Sequence, residues 1–127
     1  MCVDEAHVLL STKNELGAEF LAQIQRRSRK YNTGTIIITQ QPTDFAAPNV
    51  LVHGKAIFDN ASYYLVMGLR KQAVDDLAKL IDLNESEKDS IKYYNQGEAL
   101  FVCGNRRMRI NIIVTQEELD SFGSGGG

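Results

Sequence analysis

The chain has 127 residues, of which 43% are hydrophobic, and this length and composition predict one domain with a sizeable core. Fourteen Lys and Arg against sixteen Asp and Glu give a formal charge of -2, which argues against a strong nucleic-acid patch over the whole surface. No apolar run approaches the roughly 20 residues of a transmembrane segment. The separated Cys2 and Cys103 match no metal-ligand spacing and predict reduced, buried thiols, so we expect a soluble cytoplasmic protein.

The first part of the chain alternates strand and helix signals. Cys2-Val3 has the character of a buried strand end, and residues 14–30 predict a helix. The β-branched residues 35–39 predict a strand covered on both faces, which residues 40–42 end. Residues 48–61 predict a weaker helix. The apolar residues assigned to the inner face of the first helix are Leu16, Phe20, Leu21 and Ile24.

The alternation continues into the second part of the chain. Tyr63–Met67 predicts a short strand, and residues 70–81 predict a helix. Asn84 followed by Glu87 is typical of a capping box, which starts a helix that runs to about residue 94. The βα pattern favours strands that are joined by helices and lie parallel.

The last part of the chain has a different pattern. Glu98–Cys103 and residues 108–114 predict two strands of a hairpin around residues 104–106. Gln116–Phe122 predicts a short helix, and residues 123–127 predict a flexible Gly/Ser tail. The fold class predicted from these elements is α/β, with a mostly parallel sheet, flanking helices and a C-terminal antiparallel hairpin.

Polar residues follow directly on two predicted strands. Asp4 and Glu5 follow the first, and Gln40 follows the strand at residues 35–39. Chemistry in parallel sheets gathers at the carboxyl ends of the strands. There an Asp holds Mg²⁺ through water and a Glu polarises a water for attack on a γ-phosphate, while Gln40 is placed to sense that phosphate. The alternative is structural: Asp4-Glu5 caps the next segment, and Gln40 satisfies the end of the sheet.

A phosphate-binding loop of the form G-x-x-x-x-G-K-[ST] would complete such a site. The nearest segment, residues 49–56, has Asn49 in place of the first glycine and Ala56 in place of the hydroxyl residue. We interpret Gly54-Lys55 as a bend in a helical segment. The sequence therefore predicts no tightly bound ATP or Mg²⁺ for this chain alone.

Three spaced motifs carry a resemblance to a known family. They are Val3-Asp4-Glu5-Ala6-His7, the run Arg26-Arg27-Ser28-Arg29-Lys30-Tyr31-Asn32-Thr33-Gly34, and Ile38-Thr39-Gln40-Gln41-Pro42. Together with the late Gln96-Gly97-Glu98-Ala99-Leu100 segment they resemble the C-terminal half of the conjugative and type IV secretion ATPases, which are related to the FtsK and HerA translocases. The resemblance covers residues 1–122 and implies an incomplete RecA-like P-loop NTPase core that starts at the Walker B motif.

The resemblance also implies roles for single residues. Asp4 would position Mg²⁺, Glu5 would activate water, and Gln40 would be the sensor, so that all three contact ATP. Arg29 would reach the nucleotide of a neighbouring subunit, with Arg26 or Arg27 as substitutes. The alternative for this basic run is that cations in the last turn of a helix stabilise its dipole.

At the level of the whole protein, the resemblance implies an ATP-hydrolysing motor that energises transfer of DNA or protein across the envelope. It also implies a hexamer that is cytoplasmic and peripheral to the inner membrane, with other secretion components as partners. Since this sequence starts at the Walker B motif, it is expected to be a fragment that is inactive alone. Two alternatives are a non-catalytic assembly or binding module, and a DEAH-type helicase fragment. Residues 39–42 disfavour the helicase, because a Ser-Ala-Thr motif is expected there.

Assembly is the last expectation. In the resembling ATPases the phosphate-loop strand lies between the strands that match residues 35–39 and Tyr63–Met67. Its absence would leave a slot lined by Ile36, Ile37 and Ile38, with unpaired backbone groups. The chain would close this slot by pairing the two strands directly, or would exchange a strand with a second copy. We expect self-association, as a swapped dimer or a larger assembly.

Overall fold

A computed structural model describes residues 1–10 and 15–123 and shows a mixed α/β fold with two separate sheets. In the first sheet, β1 (Cys2–Val3) runs parallel to β2 (Ile36–Ile37). The Ile36 N–H donates to the Met1 carbonyl and the Ile38 N–H donates to the Val3 carbonyl, both at 2.9 Å. The strand predicted over residues 35–39 is therefore present but shorter.

The outer face of this parallel pair is open to solvent. Ile36 is 62% exposed and Ile38 is 46% exposed, whereas Ile37 packs against the core. The prediction that this strand is covered on both faces is therefore wrong, since only the alternate side chain points inward. Cys2 and Cys103 are both free, and Cys2 lies exposed beside Ile36, so its predicted burial is also wrong.

Helical segments cover the inner face of the parallel pair. They are a 3₁₀ turn (Ala6–Leu10), α1 (Glu15–Ser28), a second 3₁₀ turn (Arg29–Tyr31), α2 (Pro42–Phe45) and α3 (Leu51–Asp59). These segments enclose the first hydrophobic core. Its buried residues are Ala6, Leu10, Ala18, Leu21, Ala22, Phe45, Ala46, Val50, Ile57 and Leu80.

The inward face of α1 differs from the predicted one. Leu16 and Phe20 are 77% and 59% exposed, so their assignment to the inner face is wrong. Ala18, Leu21 and Ala22 are buried instead, at the i, i+3, i+4 spacing of one helical face. Two of these three buried residues are alanines, and two large apolar residues remain on the helix surface.

Gly54 determines how closely α3 approaches α2. The helix continues through Gly54, so the interpretation as a bend is wrong. A Cβ at this position would lie 2.1 Å from the Phe45 carbonyl oxygen. Any larger residue would push the two helices apart, so this glycine serves packing instead of phosphate binding.

The second sheet is antiparallel, with the strand order β3 (Tyr63–Met67), β4 (Glu98–Cys103) and β5 (Arg106–Asn111). The predicted hairpin is confirmed, although its second strand starts at Arg106. The sheet packs against α4 (Lys71–Leu77) and α5 (Glu85–Lys92), and α6 (Gln116–Phe122) follows it.

Two capping boxes bound the helices of this region. The Asn84 side chain accepts from the Glu87 N–H at 2.9 Å, and the Glu87 carboxylate accepts from the Asn84 N–H at 3.0 Å. The predicted capping box is therefore confirmed. Thr115 and Glu118 form a second one, at the start of α6.

The two sheets are not joined through their strands. β3 pairs with β4, and within the described ranges no strand pairs with the outer edge of β2. The strand within residues 35–39 therefore does not pair directly with Tyr63–Met67. Among the described strands, only β1 and β2 pair in parallel. Within the same ranges, no helix has the length and apolar character to cross a membrane.

Candidate functional site

The carboxyl ends of β1 and β2 bring two distant segments together. Because the strands are parallel, Glu5 and Gln40 leave the sheet at the same edge. Gln40 Nε2 donates a hydrogen bond of 2.8 Å to Glu5 Oε1 across 35 positions of the sequence. The expected proximity of Gln40 to the acids is therefore confirmed.

The backbone at Glu5 is unusual. Its φ angle is 50°, in the left-handed region that costs a non-glycine residue about 1 kcal/mol or more. Two bonds hold the turn: Asp4 Oδ1 accepts from the Glu5 N–H at 2.8 Å, and the Ala6 N–H donates to the Ile38 carbonyl at 2.9 Å. Asp4 Oδ1 thus stabilises the turn at Glu5, through a bond to the residue that precedes the 3₁₀ turn.

His7 is a third group at this carboxylate. Its Nδ1 lies 3.2 Å from Glu5 Oε2, which is close enough for an ion pair when the imidazole is protonated. The contact does not have hydrogen-bond geometry, and within the described residues this buried Nδ1 has no hydrogen-bond partner. The Glu5 side chain, 46% exposed, therefore lies between Gln40 and His7 and remains open to water. His7 has no role among the residues predicted from the sequence, although its position two residues after Glu5 is a signal for one.

The predicted basic residues lie at the other end of β2. Ser28, the last residue of α1, has its Oγ 2.8 Å from Thr35 Oγ1, so the end of α1 adjoins the start of the strand. Arg26 and Arg27 are exposed in the last turn of α1. The Arg29 backbone belongs to the second 3₁₀ turn, and its side chain lies outside the described part of the structure. The fold thus separates the basic run from the acids of its own chain.

The acidic edge presents two carboxylates, of which Asp4 is the one expected to hold Mg²⁺. Carboxylate oxygens are suitable ligands, and Mg²⁺ commonly takes only one or two of them beside phosphate oxygens and waters. Asp4 supplies one such carboxylate. In residues 1–10 and 15–123, no cluster of three or more His, Cys, Asp or Glu side chains forms a complete protein site for a metal.

A cavity of about 210 Å³ lies away from this edge, between α3, the antiparallel sheet and the segment before α5. Its lining includes Tyr64, whose pKa is raised mainly by burial. Arg107 also lines it and donates to Glu87 Oε2 at 2.8 Å and to the Asp82 carbonyl at 2.7 Å. This arginine therefore has a structural role in joining α5 to the sheet.

The chain has the mixed α/β fold of a fragment of a P-loop ATPase, and its resemblance to the type IV secretion ATPases is confirmed. In particular, it is similar to VirB4 of Thermoanaerobacter pseudethanolicus, with 35% identity and a TM-score of 0.86. That match covers 93% of this chain and 32% of the VirB4 chain.

A second relative also matches this chain over only part of its own length. An uncharacterized protein of Bacillus anthracis is 25% identical over 130 aligned positions, covering 97% of this chain and 20% of that protein. No family model matches the chain. The chain therefore spans a third or less of the length of these two relatives.

Proposed function

We propose that this chain forms the water-activating part of a type IV secretion motor ATPase, which energises transfer of DNA or protein across the envelope. One observation carries the proposal: the Gln40 to Glu5 hydrogen bond of 2.8 Å at the carboxyl ends of adjacent parallel strands. The similarity to VirB4 supports it over a DEAH-type helicase, as does Gln40 where a helicase is expected to carry Ser-Ala-Thr.

The proposed chemistry is hydrolysis of the γ-phosphoryl bond of ATP. Glu5 takes a proton from a water as the water oxygen bonds to the γ-phosphorus and the bond to the bridging oxygen breaks. Gln40 donates to Glu5 Oε1 and so holds this carboxylate, and it would also sense the γ-phosphate, while Asp4 would hold Mg²⁺ through water. Bound Mg²⁺ would neutralise charge that develops on the phosphate oxygens.

The basic run has a proposed role between subunits. Arg26 and Arg27 lie at the amino end of β2, away from Glu5 of the same chain, and Arg29 follows them in the sequence. Arg29, or one of its two neighbours, would therefore stabilise the phosphate charge on the nucleotide of an adjacent subunit. This arrangement fits the proposed hexamer, cytoplasmic and peripheral to the inner membrane with other secretion components.

Phosphate binding needs a segment that these 127 residues do not contain. The segment closest to a phosphate loop ends in α3, where Gly54 contacts Phe45. We therefore propose that the chain by itself does not hydrolyse ATP. As an isolated chain it would act as a non-catalytic assembly module.

A chimera tests the catalytic proposal. Residues 1–123 replace the matching third of Thermoanaerobacter VirB4, and ATP turnover and Mg²⁺-ATP affinity are measured. Glu5→Gln should lower turnover by about 100-fold or more while the Kd of ATP changes less than about threefold, because water activation is needed only in the transition state. Gln41→Ala is the matched control, since Gln41 is adjacent to Gln40 and is also exposed. A Glu5→Gln chimera that turns over like the parent chimera contradicts the proposal.

A further inference from the structure

His7 starts from a well-anchored part of the backbone. It belongs to the 3₁₀ turn that follows Glu5, and this turn packs against α1 and α2. Ala6, which is fully buried, donates its N–H to the Ile38 carbonyl at 2.9 Å. The Val8 N–H donates to the Glu5 carbonyl at the same distance. The backbone on both sides of His7 is therefore tied either to β2 or to Glu5 itself.

The Nδ1 atom of His7 is buried beside the Glu5 carboxylate. Glu5 Oε2 lies 3.2 Å away, and within the described ranges Nδ1 has no hydrogen-bond partner. An unprotonated Nδ1 would bring its lone pair close to a negative carboxylate, whereas an N–H would bring a positive hydrogen there. A buried N–H without a partner is also costly, which favours a bond to this carboxylate. The proton of a neutral His7 therefore belongs on Nδ1.

Glu5 then has one contact at each oxygen of its carboxylate. Gln40 Nε2 donates to Oε1 at 2.8 Å, and His7 Nδ1 lies beside Oε2. The turn that carries Gln40 is ordered in its own right, because the Gln41 N–H donates to Thr39 Oγ1 at 3.1 Å. A carboxylate oxygen can accept two hydrogen bonds, so both contacts leave an acceptor for a water. The half-exposed side chain gives that water access.

We propose that His7 is a positioning residue for Glu5, whose Nδ1–H binds Oε2 and fixes the direction in which the carboxylate meets the attacking water. A small rotation of the carboxylate aligns Oε2 with this N–H. His7 does not touch the water or the nucleotide. Its role rests on the proposed function, since it acts through Glu5. Because this chain itself buries Nδ1, the role does not depend on what lies beside the outer edge of β2.

Turnover by the chimera described above tests this role. His7→Leu removes the donor and should lower kcat by about tenfold while the Kd of Mg²⁺-ATP changes less than about twofold, because a misplaced base slows only the chemical step. His7→Asn should bring kcat back to within about threefold of the parent chimera, since its amide nitrogen can donate in place of Nδ1. His53→Leu is the matched control, the same substitution at the other histidine of the chain, on α3.

The reference variant Glu5→Gln separates this role from the proposed function. If Glu5→Gln is inactive and His7→Leu turns over like the parent chimera, the role of His7 is overturned and the proposed function stands. Equal losses of turnover in His7→Leu and His7→Asn overturn the role as well, because they would indicate packing alone. A loss that saturating ATP removes has the same consequence. A Glu5→Gln chimera that turns over like its parent overturns both.

Nitrogen NMR of the full chain tests the contact without any turnover. At about pH 8.5, where a histidine is ordinarily neutral, the ¹⁵N shifts should place the His7 proton on Nδ1. Glu5→Ala should move this proton toward Nε2, because nothing else in the described ranges bonds to Nδ1. His53 in the same spectra is the internal reference and should not change. A proton on Nε2 in the parent chain, or an unchanged tautomer in Glu5→Ala, overturns the proposal.

Discussion

The regions around the two sheets differ in how they are held together. In the N-terminal region, β1 and β2 are two residues each and pair across a connection that contains α1. In the C-terminal region, β3, β4 and β5 are five or six residues each, and a tight turn joins β4 to β5. The candidate site lies in the N-terminal region. The candidate site thus lies beside the smaller of the two described sheets.

Side chains join the two regions. Phe58 packs against both hydrophobic cores. Its ring lies edge-on to that of Phe45, with 5.6 Å between the ring centroids, and is stacked on that of Tyr64, with 6.1 Å between the centroids. Asp76 of α4 is 4% exposed and bonds to Lys79 Nζ at 2.6 Å, and it also bonds to the Thr43 side chain of α2. Leu80, which follows α4, is also buried in the first core, so several side chains couple the two regions.

Among the substitutions that test this coupling, Phe58→Ala should have the largest effect on stability. Removing the ring leaves a void between the cores and should lower the free energy of unfolding by about 3 kcal/mol. The N-terminal region should then unfold first. Urea titration with hydrogen exchange of individual amides measures both effects. Leu16→Ala, at a residue that is 77% exposed, should cost less than about 0.5 kcal/mol. Simultaneous unfolding of both regions in Phe58→Ala would show that Phe58 is not the link.

Asp76→Asn tests the polar contacts of Asp76 with Lys79 and Thr43. The substitution should lower the free energy of unfolding by about 2 kcal/mol at neutral pH, because a buried hydrogen-bonded charge is removed. The hydrogen bond from Lys79 lowers the pKa of Asp76 below its ordinary value of 3.8. A lowered folded-state pKa stabilises the fold above the unfolded-state pKa, and this stabilisation is lost as the pH falls through the folded-state pKa.

The difference in free energy of unfolding between Asp76→Asn and the parent chain should therefore have its full value at pH 7 and shrink below about pH 3.8. Chemical denaturation over a series of pH values measures it. Asp75→Asn is the matched control, since Asp75 is the exposed neighbour on α4 and should show little difference. A difference that stays constant to the lowest pH would contradict an ionic role for Asp76.

Asn84→Ala should lower the free energy of unfolding by about 1 kcal/mol, less than Asp76→Asn, through loss of one side of the capping box of α5. Hydrogen exchange should show reduced protection in α5 and an unchanged N-terminal region. Thr115→Ala removes the equivalent cap of α6, which buries no residue, and should leave global unfolding unchanged. An equal loss of global stability in both variants would mean that α6 is part of the folded core.

The features that the sequence predicted well have local causes. Asn84 and Glu87 are three residues apart, and the hairpin turn is adjacent to both of its strands, so neighbouring residues decide both structures. The proximity of Gln40 to Glu5 followed from the order of strands and helices. By contrast, the exposure of Ile36, Leu16 and the Cys2 thiol depends on which surfaces the rest of the fold covers, and local periodicity does not contain that information.

The left-handed backbone at Glu5 and the contact of Glu5 with His7 were also not predicted from the sequence. Glutamate seldom adopts a positive φ, and here the turn between Asp4 and Ala6 imposes it through bonds to β2. The motif Asp4-Glu5-Ala6-His7 predicted acids at a strand end. It did not predict that a histidine would lie 3.2 Å from the glutamate.

The long connection between β1 and β2 has a consequence for folding kinetics. Hairpins such as β4 and β5 form within about 1–10 microseconds, because the two strands are neighbours in the chain. Cys2 meets Ile36 only after the intervening chain, including α1, has closed into a loop, which is entropically slower. The contact of Gln40 with Glu5 therefore requires closure of this loop, as does the pairing of β3 with β4, whereas the hairpin of β4 and β5 does not.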